Sequence, residues 1–255
     1  MRIARFEHNG TLAFGNVIGE GDSAYLAVLQ GNPMLGLAEP TGEHVSLGAV
    51  RLLPPSAPSK IVCVGKNYGA HIEEMGLTGS VEPTIFLKPP SALIGHGQGI
   101  VLPWQSSQVE LEVELAIVIG QECKNLPVEA ALGVVWGYTI ANDVTARDLQ
   151  AADDQWMRSK GFDTFCPVGP WVETDWSPAG QRIHSSVDGQ TRQDDHLTSM
   201  IFDVPTIISF VSHNMTLLAG DIILTGTPSG ISGIQAGQSV TCSVEGIGAL
   251  TNPVC

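Results

Sequence analysis

Positive charge is scarce in this chain: 12 Lys and Arg stand against 26 Asp and Glu, for a formal net charge of −14. A field of that sign repels nucleic-acid phosphates and anionic membrane surfaces, and no local Lys/Arg cluster offsets it, which argues against nucleic acid or membrane as partner. A small anionic substrate therefore needs a local cation, either a metal or one of the few Lys and Arg. Five cysteines (Cys63, Cys123, Cys166, Cys242, Cys255) form no C-x-x-C pair and no even-numbered framework. Reduced packing residues of a soluble cytoplasmic protein are expected. No run approaches the ~18 apolar residues of a membrane span, and M-R-I-A-R-F-E-H-N-G at the start has no secretory apolar region. G-x-S-x-G and H-E-x-x-H are also missing, so serine-hydrolase and zinc-protease readings find no support. G-H-G-Q-G around His96 matches neither a dinucleotide fingerprint nor a P-loop.

What is present suits one large domain with a small appendage. The chain has 255 residues, 43% hydrophobic and 15% charged, with 29 Gly and 16 Pro. That is enough apolar material for a substantial core. Residues 1–55 read as a small strand-rich lobe, and Leu52–Lys60, with three prolines, as a linker. Residues 60–255 hold the remainder. Ile61–Gly65 predicts a buried strand, and N-Y-G-A-H-I-E-E-M-G a short helix stopped by Gly76. T-I-F-L-K-P-P is a strand, V-E-A-A-L-G a helix leading to a strand that ends at Asp143, and R-D-L-Q-A-A-D-D-Q-W-M-R-S-K has helical spacing. A further helix is expected over Val204–Met215. Many short strands with few helices predict an α+β, mainly β architecture.

The stretch V-E-L-E-V-E-L-A-I-V-I-G (Val109–Gly120) raises the main chemical question. Alternation along a strand puts Glu110, Glu112 and Glu114 on one face, close enough to repel. Either water solvates them at a sheet edge, or a cation compensates them. Asp143 at the end of the next predicted strand offers a third oxygen ligand, and such a set suits Mg²⁺ or Mn²⁺. Asp143 also reads as a cap of the T-A-R-D helix. His71 and Glu74 lie three apart, as a general base and its orienting carboxylate do, and as ordinary exposed helix pairs also do. Lys88, Arg147 and Lys160 are cations available for a substrate carboxylate or an oxyanion, and each also reads as a solvated side chain. G-T-P-S-G (Gly226–Gly230) carries a hydroxyl and exposed N–H groups that suit a carboxylate, or is a plain turn.

Taken in order, V-G-K-N-Y-x-x-H-x-x-E, F-L-K-P, E-V-E-L-A-I-V-I-G, N-D-V-T-A-R-D-L-Q, K-x-F-D-x-F-x-P-x-G-P and G-D-I-I-L-T-G-T-P-S-G resemble the fumarylacetoacetate hydrolase family in its short bacterial form. The resemblance begins near Lys60 and runs to the C-terminus. It implies a mixed β-sandwich roll with peripheral helices, usually a homodimer. It implies Mg²⁺ or Mn²⁺ on Glu112, Glu114 and Asp143, with His71 and Glu74 as base and partner and Lys160 as oxyanion stabiliser. It places Arg147 and Gln150 in the site wall and Thr227 at the substrate carboxylate, with Lys88 as a further substrate-binding candidate. The activity implied is divalent-metal-dependent C–C bond cleavage of a small 2-oxo acid or diacid through a metal-bound enolate, as in oxaloacetate decarboxylases and acylpyruvate hydrolases. The second reading is an isomerase or decarboxylase of aromatic catabolism acting on 2-hydroxyhepta-2,4-diene-1,7-dioate or 5-oxopent-3-ene-1,2,5-tricarboxylate. A catalytically silent metal-binding scaffold is the reading from another class.

Overall fold

The computed structural model describes the whole chain, Met1–Cys255. The first fifty-odd residues form β1 (Arg2–His8), β2 (Thr11–Ile18), β3 (Tyr25–Leu29), β4 (Pro40–Ser46) and β5 (Arg51–Leu53). Alternation along these strands serves two faces. Ala4 and Phe6 pack with Val17, Leu26 and Val45, while Ile3 points the other way onto Phe14 and Leu29. β6 (Ile61–Gly65) and β7 (Thr84–Lys88) then flank a short helix, α1 (Gly69–Glu74), which ends at a turn where Gly76 has φ +62°.

Next come β8 (Leu93–Ile94), β9 (Val109–Leu111), β10 (Val113–Ile119), β11 (Val135–Asn142) and β12 (Thr145–Ala146). Two short helices, α2 (Arg147–Ala152) and α3 (Met157–Lys160), lead to β13 (Cys166–Glu173). β14 (Arg182–Val187) and β15 (Gln190–His196) precede α4 (Val204–Asn214), and β16 (Ile222–Leu224), β17 (Ser232–Gly233), β18 (Ser239–Val244) and β19 (Gly248–Pro253) follow it.

Ten of these strands lie in the order β4-β3-β2-β1-β13-β11-β10-β16-β6-β7, and β5 and β8 branch from β1 and β13 to make a twelve-stranded sheet. β1 pairs antiparallel with β13 (Arg2↔Glu173, Ile3↔Val172), so the N-terminal strands continue the main sheet. β15-β14-β18-β19 form a second sheet, and β12-β9-β17 a small third one. The main core lies where Leu115, Ile117 and Ile119 of β10 meet β14, β18 and α4. α4 contributes Val204, Ile207, Ile208 and Val211, a helical stripe, and its N-terminus is capped by Asp203 accepting from the Thr206 amide at 3.0 Å. The other face of β10 carries Ala116 against Cys63, Ala141 and Cys166.

Four expectations change. Val109–Gly120 is two strands, broken at Glu112, whose amide donates to Asn142 Oδ1 at 2.9 Å while the next amide, Val113, donates to Gln193 Oε1 at 2.9 Å. Side chains satisfy the interrupted ladder, so the break carries no orphaned donor. β10 lies between β11 and β16 rather than at an edge, and Glu110, Glu112 and Glu114 are all buried, which removes the solvated-edge reading. Val128–Val134 is a 3-10 helix rather than an α-helix. Arg147–Lys160 is split after Ala152, where Arg158 turns back to clasp Asp153 at 2.7 Å.

The segment read as a linker is pinned. Asp221, which is 0% exposed, accepts from the Ser59 amide at 3.0 Å, the Ser59 hydroxyl at 2.7 Å, the Lys60 amide at 3.2 Å and the Leu218 amide at 2.8 Å, and it pairs with the Lys60 ammonium. Burial alone would raise this carboxyl, but the hydrogen bonds from Lys60, Leu218 and Ser59 hold it below the usual range. Asp221→Ala leaves those donors unpaired and is expected to cost about 2–4 kcal/mol, read as a lower urea midpoint. The stability lost in the variant is the part the wild type keeps above the unfolded carboxyl value near about 4 and gives up as pH falls through the depressed folded value. The gap between the two proteins therefore narrows in strong acid. A gap independent of pH would show that the carboxylate charge is not what holds the segment.

Candidate active site

Six chain segments deliver the predicted residues to one cavity of about 280 Å³. The break after β9 and the start of β10 supply Glu112 and Glu114, and the end of β11 supplies Asp143. α1 brings His71, α2 brings Arg147 and Gln150, and the last residue of α3 is Lys160. Thr227 enters from the turn after β16. Val64, Met75, Leu77, Phe86 and Trp156 make the apolar part of the lining. Trp156 lies edge-on to Phe86 with ring centroids 5.3 Å apart. Gly65 permits this wall, because a Cβ there would come within 2.6 Å of the Trp156 ring.

Glu112, Glu114 and Asp143 are buried, and each offers an oxygen within 4.8 Å of the others. Lys160 donates to Glu112 at 2.8 Å and to Asp143 at 2.6 Å, while Lys88 reaches Asp143 at 2.5 Å. Arg147 spans Glu110 at 2.7 Å and Glu112, and its third arm meets Gln150 at 2.5 Å. Four buried carboxylates thus meet three buried cations, leaving one excess negative charge. Burial alone would raise Glu112, but Lys160 and Arg147 hold it well below the usual carboxylate range. Lys160 itself is opposed by burial, yet Asp143 and Glu112 raise it above its ordinary value, so it stays charged. Glu114 has no cation of its own. Burial, then the Asp143 and Glu112 charges, push it well above the usual range. A hard divalent cation fits this donor set: three converging carboxylates, one of them electrostatically uncompensated.

His71 Nδ1 lies 3.2 Å from Glu74 Oε2, and Glu74 Oε1 accepts from the Gly230 amide at 3.0 Å. With Nδ1–H donated to Glu74, Nε2 is the basic nitrogen of a ring that lines the cavity. The Gly226–Gly230 turn does hold carboxylates, but they are the protein's own. The Gly226 amide donates to Glu114 at 2.6 Å and the Gly230 amide to Glu74. Gly226 has φ +98°, and a Cβ there would fall 2.7 Å from the Asn67 side chain, so only glycine fits.

The structure brings together His71, Glu112, Glu114, Asp143, Arg147, Gln150, Lys160 and Thr227 as cavity residues. Glu74 stands behind His71. Asp143 is not a helix cap, a position taken by Ala146. Lys88 is a correction: 1% exposed, it is spent on Asp143 and the Val144 carbonyl at 3.1 Å, and it does not line the cavity. It supports Asp143 from behind instead of meeting substrate. The Thr227 hydroxyl donates to the Val113 carbonyl at 2.9 Å and accepts from Gln193 at 2.7 Å, so its proton is already engaged. Two residues went unnoticed in the sequence. Gln193, 0% exposed, ties Val113 to the Thr227 turn from a distant strand, which no spacing reveals. Lys66 lines the cavity inside the V-G-K-N-Y motif, and the scarcity of cations was the signal that could have found it.

Comparison with known proteins gives the family. The Fumarylacetoacetate (FAA) hydrolase C-terminal family matches residues 60–255, and the Rv2993c-like, N-terminal family matches residues 1–55. The chain is 43% identical over 195 residues to a mitochondrial oxaloacetate decarboxylase of Dictyostelium discoideum, covering 74% of this chain and 87% of that one. The crystal structure of 2-hydroxyhepta-2,4-diene-1,7-dioate isomerase from Mycobacterium marinum superposes with TM-score 0.93 at 44% identity, covering 100% of this chain and 98% of the other. Fumarylpyruvate hydrolase from Pseudomonas aeruginosa, solved with Mn²⁺ and pyruvate, superposes with TM-score 0.73 at 30% identity over 80% of this chain and 91% of its own. The chain belongs to the fumarylacetoacetate hydrolase family.

The two glutamates separate metal binding from folding. Glu114→Gln keeps an acceptor for the Gly226 amide and strips no cation of its partner, so stability is expected to change by no more than about 1 kcal/mol. Mn²⁺ affinity, followed by electron paramagnetic resonance of the free ion, is expected to fall by at least about 100-fold. Glu112→Ala instead leaves Lys160 and Arg147 short of a partner and is expected to cost about 3–5 kcal/mol in urea unfolding. Wild-type Mn²⁺ affinity in Glu114→Gln would remove Glu114 from the ligand set.

Proposed function

We propose that this protein cleaves the C3–C4 bond of a small 2-oxo acid, decarboxylating oxaloacetate or hydrolysing an acylpyruvate, with Mg²⁺ or Mn²⁺ held by Glu112, Glu114 and Asp143. The observation that carries the reading is that this carboxylate set, with the Lys160 ammonium paired to it, shares one small cavity with His71, which Glu74 backs. At about 280 Å³ the cavity is at the small end of ligand sites, which suits a short acid. Relatives named oxaloacetate decarboxylase and fumarylpyruvate hydrolase, the latter holding Mn²⁺ and pyruvate, support it.

Breaking C3–C4 leaves an electron pair that runs back onto the C2 oxygen. A divalent cation in this set would supply Lewis acidity to take up that charge. The protein's own part is positional and protonic. Arg147, clamped by Glu110, Glu112 and Gln150, has a fixed guanidinium plane at the cavity wall. In hydrolysis His71 Nε2 removes a proton from water as that water attacks C4, and the Lys160 ammonium stabilises the oxyanion on C4. In decarboxylation carbon dioxide departs without water, and His71, after taking up a proton from solvent, delivers it to C3, giving pyruvate. Glu74 holds the imidazole in one tautomer in both cases. The apolar wall of Phe86 and Trp156 limits water and strengthens these charges.

The second reading is proton transfer between C3 and a neighbouring carbon without bond cleavage. The same His71–Glu74 pair suffices for it, and the Mycobacterium marinum isomerase shares the fold over the full chain.

Protein stripped of metal and reloaded with Mn²⁺ is expected to release pyruvate from oxaloacetate or from acetylpyruvate, measured by a coupled assay, and chelation is expected to abolish the release. His71→Ala is expected to lower kcat by about 10²–10⁴-fold with a smaller change in KM. Turnover that survives both exhaustive chelation and His71→Ala would sink the proposal. Interconversion of dienoate isomers with no pyruvate release would select the second reading.

A further inference from the structure

Among the cations around the cavity, Lys88, Arg147 and Lys160 are neutralised by carboxylates at close range. Lys66 is not. It lines the cavity, is half-buried, and its ammonium makes no ion pair and no hydrogen bond with the protein. In a chain of 12 Lys and Arg against 26 Asp and Glu, a cavity lysine without a carboxylate partner is an exception to the local rule.

The backbone places it deliberately. Lys66 has φ +60°, a left-handed conformation that costs a residue with a Cβ and persists only where the surroundings impose it. Here they do. Asn67, 0% exposed, donates to the Thr225 carbonyl at 2.7 Å and the Phe202 carbonyl at 3.0 Å and accepts from the Phe202 amide at 2.7 Å. On the other side Gly65 lies under the Trp156 ring. Glycine or asparagine would meet the backbone demand with less strain, so backbone geometry alone does not explain a lysine.

We propose that Lys66 binds the distal carboxylate of a dicarboxylic 2-oxo acid and makes the site selective for 2-oxo diacids over 2-oxo monoacids. This rests on the reading above that the cavity takes a small 2-oxo acid, and it adds which member of that class is preferred. The charges agree. The buried cluster has one excess negative charge, which a divalent ion would turn into one positive charge, matching the C1 carboxylate. Lys66 then supplies the single further positive charge that a second carboxylate requires.

The test compares 2-oxoglutarate with 2-oxopentanoate, which share chain length and the 2-oxo acid end and differ in the terminal carboxylate. Binding to Mn²⁺-loaded protein is measured by calorimetry, without reliance on turnover. Wild type is expected to bind 2-oxoglutarate at least about tenfold more tightly, equivalent to about 1.4 kcal/mol. Lys66→Asn, whose side chain tolerates the left-handed backbone, is expected to bring the ratio to near one by weakening 2-oxoglutarate alone. Lys66→Arg is expected to retain the preference. A ratio near one in wild type, a preference that survives in Lys66→Asn, or equal weakening of both ligands in that variant would each overturn the assignment while leaving the 2-oxo acid reading standing. Failure of wild type to bind either ligand would instead overturn the functional reading on which it rests.

Discussion

Four buried carboxylates and three buried cations leave one negative charge that the protein does not neutralise, and the architecture of the site follows from managing that imbalance. Charges of one sign so close together in a low-dielectric interior are tolerable only when each is paired or hydrogen-bonded. Glu112 takes Lys160 and Arg147, Asp143 takes Lys88 and Lys160, and Glu110 shares Arg147. Glu114 receives only the Gly226 amide. A charge on it is opposed by burial and by Asp143 and Glu112, and at the cavity surface a divalent ion would compensate it and, with an anionic ligand, restore balance. Stability and metal affinity are therefore set by the same residues in opposing ways: the pairs that hold the cluster together also compete with the ion for its oxygens.

The fold supplies this cluster through short, interrupted elements. A continuous strand through Glu112 would keep its amide and carbonyl in the ladder. The break lets the Asn142 side chain take the Glu112 amide and the Gln193 side chain the Val113 amide, and the Asp143 amide donates to the Glu112 carbonyl at 2.9 Å. That cross-bond locks two of the carboxylates into register. The split of Arg147–Lys160 into two helices works similarly. Arg147 opens one and Lys160 closes the other, and both guanidinium and ammonium reach Glu112. The N-terminal strands take no part in the cavity, but they extend the sheet through β13, the neighbour of β11.

Much of this was legible in the residues. The alternation in V-E-L-E-V-E-L marked three carboxylates for one face, the buried strand at Ile61–Gly65 stood out as a β-branched run, and His71 with Glu74 declared a one-turn pair. The ordered motifs placed the chain in its family, and the comparisons agree. Less was legible where a residue acts on something remote in the chain. Lys88 looked like a substrate ligand because cations are rare, yet a side chain 1% exposed, held on Asp143 and outside the cavity lining, does not meet substrate. The Gly226–Gly230 turn looked like a carboxylate cradle and is one, for Glu114 and Glu74 rather than for substrate.

The sequence by itself determined which chemistry the chain can hold: an acidic protein with few cations, carboxylates at strand period, an imidazole and a carboxylate one helical turn apart, and turns that glycine alone can make. Local periodicity and residue type carry that information because they depend on neighbours in the chain. Only the tertiary structure decided how those groups share charge. Whether a lysine pairs with Asp143 or stands free beside the cavity depends on distances between segments tens of residues apart. Lys88 and Lys66 show the difference: one is enclosed and neutralised, the other half-buried and unpaired.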